Sequence, residues 1–333
     1  MSQTIGVLGA NAAGTAFAQV LALSGHNVLL WDTDKELLSS IDKHHENKKA
    51  FPGILLSQNI KSEESLVNLV KKSKTLFITL PTNTQTEVAT QIANHLDSQH
   101  ILVQTATGLR QSDGALLTTV WQEIVSKEIP QIILAGPNFA LEMMEEHFTA
   151  FILASTNNTA KETVAKLFTV PFIRPYYSDD PIGAQIGGAL RNVLAIAAGV
   201  VDGLELGINA RAAVLCRGLK EMQLLGQALG AHPQTMTGLS GMGDIILHTT
   251  SKLSRNYRFG LIIGKGKNIT AATEEVGAIE GVTTARMVAY LAATHGLDLA
   301  IISAVDGLLN EDITPTQVYE MLTARPIQEE FTT

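Results

Sequence analysis

A strand that breaks at a glycine and reopens as a helix constrains this chain more than any other feature. Residues 5–8 (Ile-Gly-Val-Leu) form a short apolar run of buried-strand character, and the turn Gly-Ala-Asn-Ala-Ala-Gly follows from Gly9 to Gly14. Residues 15–24 then show helical periodicity and stop at Gly25, in the position of a C′ glycine. The pattern repeats downstream. Strands are expected at 27–31, 75–80, 101–104, 132–135 and 150–154, with helical stretches between most of them and Asp34 as the N-cap of one. Alternation of this kind predicts an α/β fold, a Rossmann-like doubly wound parallel sheet with helices on both faces.

From Asp180 the texture changes. Residues 182–201, 211–229, 270–275, 283–294 and 315–322 all read as helices, and strand candidates nearly vanish. At 333 residues the chain exceeds the size of a single growing core. The expected organisation is a dinucleotide-binding domain over 1–178 and an all-helical, substrate-binding domain over 179–333, with residues 171–180 as the passage between them.

Charge and composition narrow the partners. A net charge of −8 argues against a nucleic-acid surface, which needs a basic stripe. An anionic small molecule would have to be held by local cations or helix N-termini. The single cysteine, Cys216, excludes an internal disulfide; its helical setting predicts a buried, inert thiol. No run approaches the ~18 uninterrupted apolar residues of a membrane span, and the N-terminal run lacks a basic leader, so a cytoplasmic protein is expected. None of the nine histidines pairs at a metal-ligand spacing, so no metal is expected, and His248 reads as structural.

The glycine turn has Gly9 and Gly14 at the ends of a G-x-G-x-x-G pattern, with Asn11 in place of the middle glycine. A backbone turn of this type presents N–H groups to a pyrophosphate. Asn11 is expected to crowd that ligand and to tolerate a left-handed backbone at a cost of about 1 kcal/mol relative to glycine. Asp32, some twenty residues on at the end of the second strand, is placed to accept from a ribose 2′-hydroxyl and to repel a 2′-phosphate. The expected cofactor is therefore NAD, with NADP as the alternative.

Longer stretches then carry a resemblance. GPNFALE from Gly136, IGGALRNVLAIAAGVVDGLELGINARAA from Ile186, RGLKEM from Arg217, GLSGMGDIIL from Gly238, SRNYRFG from Ser254 and EGVTTA from Glu280 occur in order, with FPG at Phe51. Over nearly its whole length the sequence resembles bacterial NAD(P)-dependent sn-glycerol-3-phosphate dehydrogenases. The resemblance implies reversible hydride transfer between a nicotinamide and dihydroxyacetone phosphate, giving sn-glycerol 3-phosphate for phospholipid synthesis, and a homodimer. It also implies that Thr107, Gly136, Asn138, Asp244, Ser254, Arg255 and Asn256 line a substrate pocket. Asn11, Ala12, Ala13, Thr33, Thr107, Ala140, Arg255, Ala278 and Glu280 fall on cofactor-contacting positions. The chemistry agrees: Arg255 offers a forked donor suited to phosphate, and Asp244 an acceptor for a hydroxyl.

Two departures bear on catalysis. The family's ATKGL segment is TATGL here, with Thr107 at the lysine, and its LKN is Leu190-Arg191-Asn192, with Arg191 at the lysine assigned as proton acceptor. A guanidinium stays protonated at any working pH; Arg191 can stabilise a developing alkoxide but cannot serve as the base. Loss of acid–base help costs 10²–10⁴-fold in rate, about 3–5 kcal/mol. Three readings follow: a glycerol-3-phosphate dehydrogenase working at reduced rate, a related oxidoreductase with an altered substrate, or a catalytically silent nucleotide or polyol-phosphate binding protein.

Overall fold

The computed structural model describes residues 2–106, 108–277, 279–324, 327, 329 and 330, without the side chain of residue 322. Eight strands form one sheet: β1 (Thr4–Leu8), β2 (Asn27–Trp31), β3 (Ile60–Ser62), β4 (Thr75–Ile78), β5 (Ile101–Gln104), β6 (Gln131–Ala135), β7 (Thr149–Ala154) and β8 (Ile173–Ser178). Their order is β3-β2-β1-β4-β5-β6-β7-β8. Pairs from β3 to β6 are parallel, β6 and β7 are antiparallel, and β7 and β8 run parallel to each other. The helices are α1 (Ala12–Leu23), α2 (Lys35–His44), α3 (Leu66–Lys72), α4 (Gln85–Ile92), α5 (Leu117–Gln122), α6 (Ala140–Met144), α7 (Asn158–Ala165), α8 (Pro181–Gly203), α9 (Gly207–Ala228), α10 (Asp244–Thr250), α11 (Arg255–Gly264), α12 (Ile269–Val276), α13 (Glu280–Thr294), α14 (Ala300–Leu309) and α15 (Pro315–Thr323).

Two compact units emerge: residues 1–188 with 230–243, and residues 189–229 with 244–333. In the first, alternation along the strands sorts side chains to two faces. Ile5, Val7, Phe77, Val103, Phe151 and Leu153 pack with Phe17, Leu21, Ile41 and Val164 on one side. Leu8, Leu76, Ile78 and Leu102 pack with Leu69, Val88 and Trp121 on the other. Phe17, Phe77, Phe151 and Phe168 form a chain of tilted and edge-on rings 5.2–6.2 Å apart.

Residues 171–180 are not merely a passage. Most of them form β8, which closes one edge of the sheet. The strand hides from pattern reading because only one neighbour pairs with it: Arg174, Tyr176 and Tyr177 are exposed, and Pro175 is admissible only at an edge. The opposite edge strand, β3, has three residues and was equally silent. Beyond β8, the carboxylate of Asp180 accepts from the N–H groups of Gly183 (2.8 Å) and His232 (2.9 Å) and from the Thr235 hydroxyl (2.6 Å). It thereby ties the start of α8 to segment 230–243. A side chain at Gly187 would overlap the Ser240 carbonyl, and one at Gly241 would overlap that of Met236, which accounts for glycines in two of the motif stretches.

The second unit is helical throughout its described residues. Its centre is α8 against α11, meeting backbone to backbone: a Cβ on Gly199 would come within 2.6 Å of Leu261 N, and one on Gly264 within 2.5 Å of Val200 O. The small residues 195–199 thus serve packing inside this unit. Buried Glu221 on α9 caps α14, accepting from Ile301 N (2.8 Å) and Ile302 N (3.0 Å). An 18-residue stretch of α8 is apolar enough to cross a membrane, although α8 is interrupted by Gln185, Arg191 and Asn192; 94% of that stretch is buried in the protein. Cys216 was expected to be buried and is exposed. The cause is that α9 buries Gly218, Met222 and Leu225 near its C-terminal end and leaves Ile208, Ala212, Ala213 and Cys216 uncovered.

Candidate functional site

The parallel strands β1, β2, β4, β5 and β6 all end on the same edge of the sheet, so the segments that follow them gather there. The order reverses between β1 and β4, and the turn after β1 sits at that switch. Gly9 has φ +108, a conformation that favours glycine. A Cβ on Gly14 would overlap the Gly9 carbonyl oxygen and come within 2.5 Å of Thr79 Oγ1. Thr79 Oγ1 lies 2.8 Å from the carbonyl oxygens of both Leu8 and Gly9, which share its single hydroxyl proton.

Asn11 departs from expectation. Its φ is −67 and ψ −179, ordinary extended backbone, so the left-handed cost does not arise. Its side chain folds inward as the N-cap of α1: Oδ1 accepts from Gly14 N (2.9 Å) and Nδ2 donates to the Thr79 carbonyl. The N–H groups of Ala12 and Ala13 have no acceptor among the described residues at the helix N-terminus, as a phosphate requires. Asp32 accepts from Ala10 N through Oδ2 (2.7 Å) and from Asp34 N through Oδ1 (3.0 Å), so it clips the turn to β2. Oδ1 also accepts from the Thr33 hydroxyl at 3.5 Å, and Oδ2 keeps a lone-pair direction for a ribose hydroxyl. Thr33 beside it is exposed. These features fit a dinucleotide, which when bound would supply the hydride.

Sequence reasoning missed the support beneath this turn. Asn47, fully buried, donates to the Ala10 carbonyl and to Thr15 Oγ1, both at 2.8 Å. It lies shortly before the FPG stretch, the one signal in its neighbourhood. After β6, Gly136 (φ +131) turns the chain toward Asn138, and Ala140 opens α6, which packs on α1. Thr107 and Ala278 lie outside the described residues.

The second unit gathers another set. Arg191 and Asn192 project from α8, Asp244 and His248 from α10, and Asn256 from α11. Arg191 Nη1 lies 2.9 Å from Asp244 Oδ2; Asp244 is fully buried and the Arg191 side chain 16% exposed. His248 Nε2 lies 3.9 Å from Asp244 Oδ1, one helical turn on. Burial first, and the Arg191 charge second, hold the His248 imidazole well below its ordinary pKa, so it is neutral at pH 7. His248 is therefore part of this cluster and not an isolated core residue.

A relay of amides runs alongside. Gly281 N–H donates to Asn256 Oδ1 (3.1 Å), and Asn256 Nδ2 donates to Asn192 Oδ1 (2.9 Å). A Cβ on Gly281 would stand 2.5 Å from Asn256 Oδ1, so the glycine of the EGVTTA stretch permits this approach. At the end of the relay, Asn192 Nδ2 and Arg191 Nε are buried donors with no hydrogen-bond acceptor among the described residues. Buried donors of this kind call for a ligand oxygen. Ser254 Oγ is occupied as the N-cap of α11, accepting from Tyr257 N (3.3 Å). Arg255 begins that helix exposed, and Glu280 does the same for α13.

A nucleotide turn at a sheet switch point and a helical unit with unsatisfied cationic and amide donors match one known combination. The family model for the N-terminus of NAD-dependent glycerol-3-phosphate dehydrogenase covers residues 4–161, and that for its C-terminus residues 180–320. The chain is 37% identical over 328 residues to the glycerol-3-phosphate dehydrogenase [NAD(P)+] of Stenotrophomonas maltophilia, spanning 98% of this chain and 96% of the relative. It is 36% identical over 331 residues to the enzyme of the same description from Xanthomonas campestris, spanning 99% and 97%. The crystal structure of glycerol-3-phosphate dehydrogenase from Coxiella burnetii superposes with a TM-score of 0.92 at 33% identity, over 97% of this chain and 99% of that one. With both halves matched in order and full-length relatives above a third identical, the chain belongs to the NAD-dependent glycerol-3-phosphate dehydrogenase family.

Proposed function

We propose that the protein catalyses reversible hydride transfer between NAD(P)H and dihydroxyacetone phosphate, giving sn-glycerol 3-phosphate. The observation that carries this reading is the pair of unsatisfied buried donors, Arg191 Nε and Asn192 Nδ2, beside the Arg191–Asp244 ion pair. A carbonyl or alkoxide oxygen is the acceptor they lack, and the fixed guanidinium would stabilise the negative charge that grows there on reduction. Ala12, Ala13 and Asp32 would hold the nucleotide; Arg255 and Asn256 are assigned to the substrate. Nothing observed favours a silent binding protein or another substrate. The product suits phospholipid synthesis in the cytoplasm, and the uncovered α9 face at Ile208, Ala212, Ala213 and Cys216 supports a homodimer. The direct test is the loss of NADH absorbance with dihydroxyacetone phosphate. Turnover of this substrate is expected; turnover of another keto compound alone would refute the assignment.

Cofactor preference is assigned to Asp32, which favours NAD. Asp32→Ala frees Ala10 N–H and loosens the turn, so affinity for both nucleotides is expected to fall. The informative quantity is their ratio. Removing the carboxylate's repulsion of a 2′-phosphate should shift the NADH/NADPH affinity ratio toward NADPH about tenfold, on the order of 1.4 kcal/mol. Parallel fluorescence titrations measure it, and an unchanged ratio would contradict the role.

A further inference from the structure

We infer that Asn47 is a positioning residue for the cofactor: by holding the Ala10 carbonyl inward, it turns the Asn11 N–H outward as a third backbone donor to the pyrophosphate, beside those of Ala12 and Ala13. This role rests on the proposed function and adds to it a residue that neither the motifs nor the comparisons assign. The Asn47 side chain is fully buried, and both its polar groups are engaged. Nδ2 donates one proton to the Ala10 carbonyl and the other to Thr15 Oγ1, both at 2.8 Å, and Oδ1 accepts from Ala50 N at 3.1 Å. Thr15 Oγ1, also fully buried, donates to the same Ala10 carbonyl at 3.2 Å. The peptide joining Ala10 to Asn11 is trans and planar, so its C=O and N–H point in opposite directions. With the oxygen directed at two buried side chains, the N–H is directed away from them, and Asn11 is exposed. The Asn11 N–H has no acceptor among the described residues. Three consecutive amide N–H groups at the head of α1 thus present a run of donors to the oxygens of a pyrophosphate.

The segment that carries FPG holds Asn47 in place. Residues 45–56 fold back on themselves: Leu56 N donates to the His45 carbonyl at 2.6 Å, Gly53 N to Glu46 Oε1 at 2.7 Å and Phe51 N to the Asn47 carbonyl at 2.8 Å. Phe51 is buried in the same apolar core as Val7 and Phe17, which anchors the loop beside β1 and α1. Ala10 is gripped on its other side as well, its N–H donating to Asp32 Oδ2 at 2.7 Å. Asp32 and Asn47 therefore divide the cofactor between them, the acid serving the ribose and the amide the pyrophosphate. Loss of the Nδ2 donors leaves the Ala10 carbonyl with Thr15 alone. The peptide plane is then free to rotate and the Asn11 N–H loses its aim, while the bond from Asp34 N keeps Asp32 where it is.

The test compares the full-length protein with Asn47→Ala in calorimetric titrations against ADP-ribose, which carries the pyrophosphate, and adenosine, which lacks it. ADP-ribose affinity is expected to fall about tenfold, the loss of a hydrogen bond to a charged group, and adenosine affinity to change less than about twofold. In NADH-dependent reduction of dihydroxyacetone phosphate, KM for NADH should rise about tenfold with kcat changed less than about threefold. Thr15→Val removes the other donor to the same carbonyl and keeps the side-chain shape; its ADP-ribose affinity is expected to fall about threefold, and it decides the role should Asn47→Ala fail to fold. Equal losses of ADP-ribose and adenosine affinity would mean general loosening of the turn and overturn the inference. So would an unchanged ADP-ribose affinity, or a fall in kcat with KM for NADH unchanged. A wild type that binds ADP-ribose but reduces no dihydroxyacetone phosphate refutes the parent reading alone, and the two titrations still decide the role of Asn47; one that does not bind ADP-ribose refutes both.

Discussion

Arg191→Ala is expected to abolish measurable turnover and to destabilise the protein by about 3–5 kcal/mol, the usual result of removing one partner of a buried ion pair. The reason lies in Asp244, which is fully buried and has Arg191 Nη1 at 2.9 Å. Without the guanidinium, the carboxylate keeps its desolvation penalty and loses the Arg191 share of its compensation, which pushes its pKa upward. An acid with a raised folded pKa destabilises the native state above the unfolded pKa and ceases to do so below it. The deficit of the variant should accordingly be full at neutral pH and shrink as pH falls toward 4, near the ordinary range of an aspartic acid. Thermal melts at several pH values would show it. A deficit independent of pH would mean that packing, and not charge, sets the cost. Arg191→Lys separates structure from chemistry: the charge stays, the fold should hold, and a titratable amine is restored. If another group already handles the proton, kcat should change less than tenfold; a gain of 10²-fold or more would mean that the wild type lacked a proton-transfer group.

How much of this could be read in the sequence depends on the range of the interactions. Strands buried on both faces, such as β1 and β5, declare themselves as apolar runs, and Asp34 and Gly25 mark helix ends through local chemistry. Edge strands do not. In β8 the outward residues answer to solvent, so its pairing with β7 leaves no period to detect. Cys216 was misjudged for a related reason: helical setting says nothing about which face other helices cover. Around the site, the acid, arginine and amide positions were legible as motifs, but their mutual distances were not. Asp244 and His248 sit one turn apart on a helix, which spacing could have suggested; that Arg191 from α8 meets them could not be read locally. Asn11 is the clearest physical lesson. Substituting a glycine implied strain, yet the side chain caps α1 and the backbone is relaxed.

Replacing Gly14 should have the largest effect on cofactor binding. A Cβ there would overlap the Gly9 carbonyl oxygen, with Gly9 C at 3.0 Å and Thr79 Oγ1 at 2.5 Å, so backbone atoms and not a flexible side chain stand in the way. Relief requires α1 to move away from the end of β1, and overpacking of this kind costs about 1–3 kcal/mol or more even in adaptable cores. Movement of α1 also displaces Gly14 N from Asn11 Oδ1 and carries off the Ala12 and Ala13 N–H groups proposed for phosphate. Gly14→Val is therefore expected to reduce NADH affinity by at least 100-fold, about 2.7 kcal/mol, and to lower Tm. The matched control is Gly25→Ala at the other end of the same helix. Gly25 has φ +90 but no atom within 4 Å of its added Cβ, so that variant incurs only left-handed strain of about 1 kcal/mol. Its NADH affinity should be unchanged while its Tm falls slightly. Fluorescence titration of both variants distinguishes a steric requirement of the turn from general loosening of α1: equal losses of affinity would remove the steric argument, because only one of the two substitutions meets the turn.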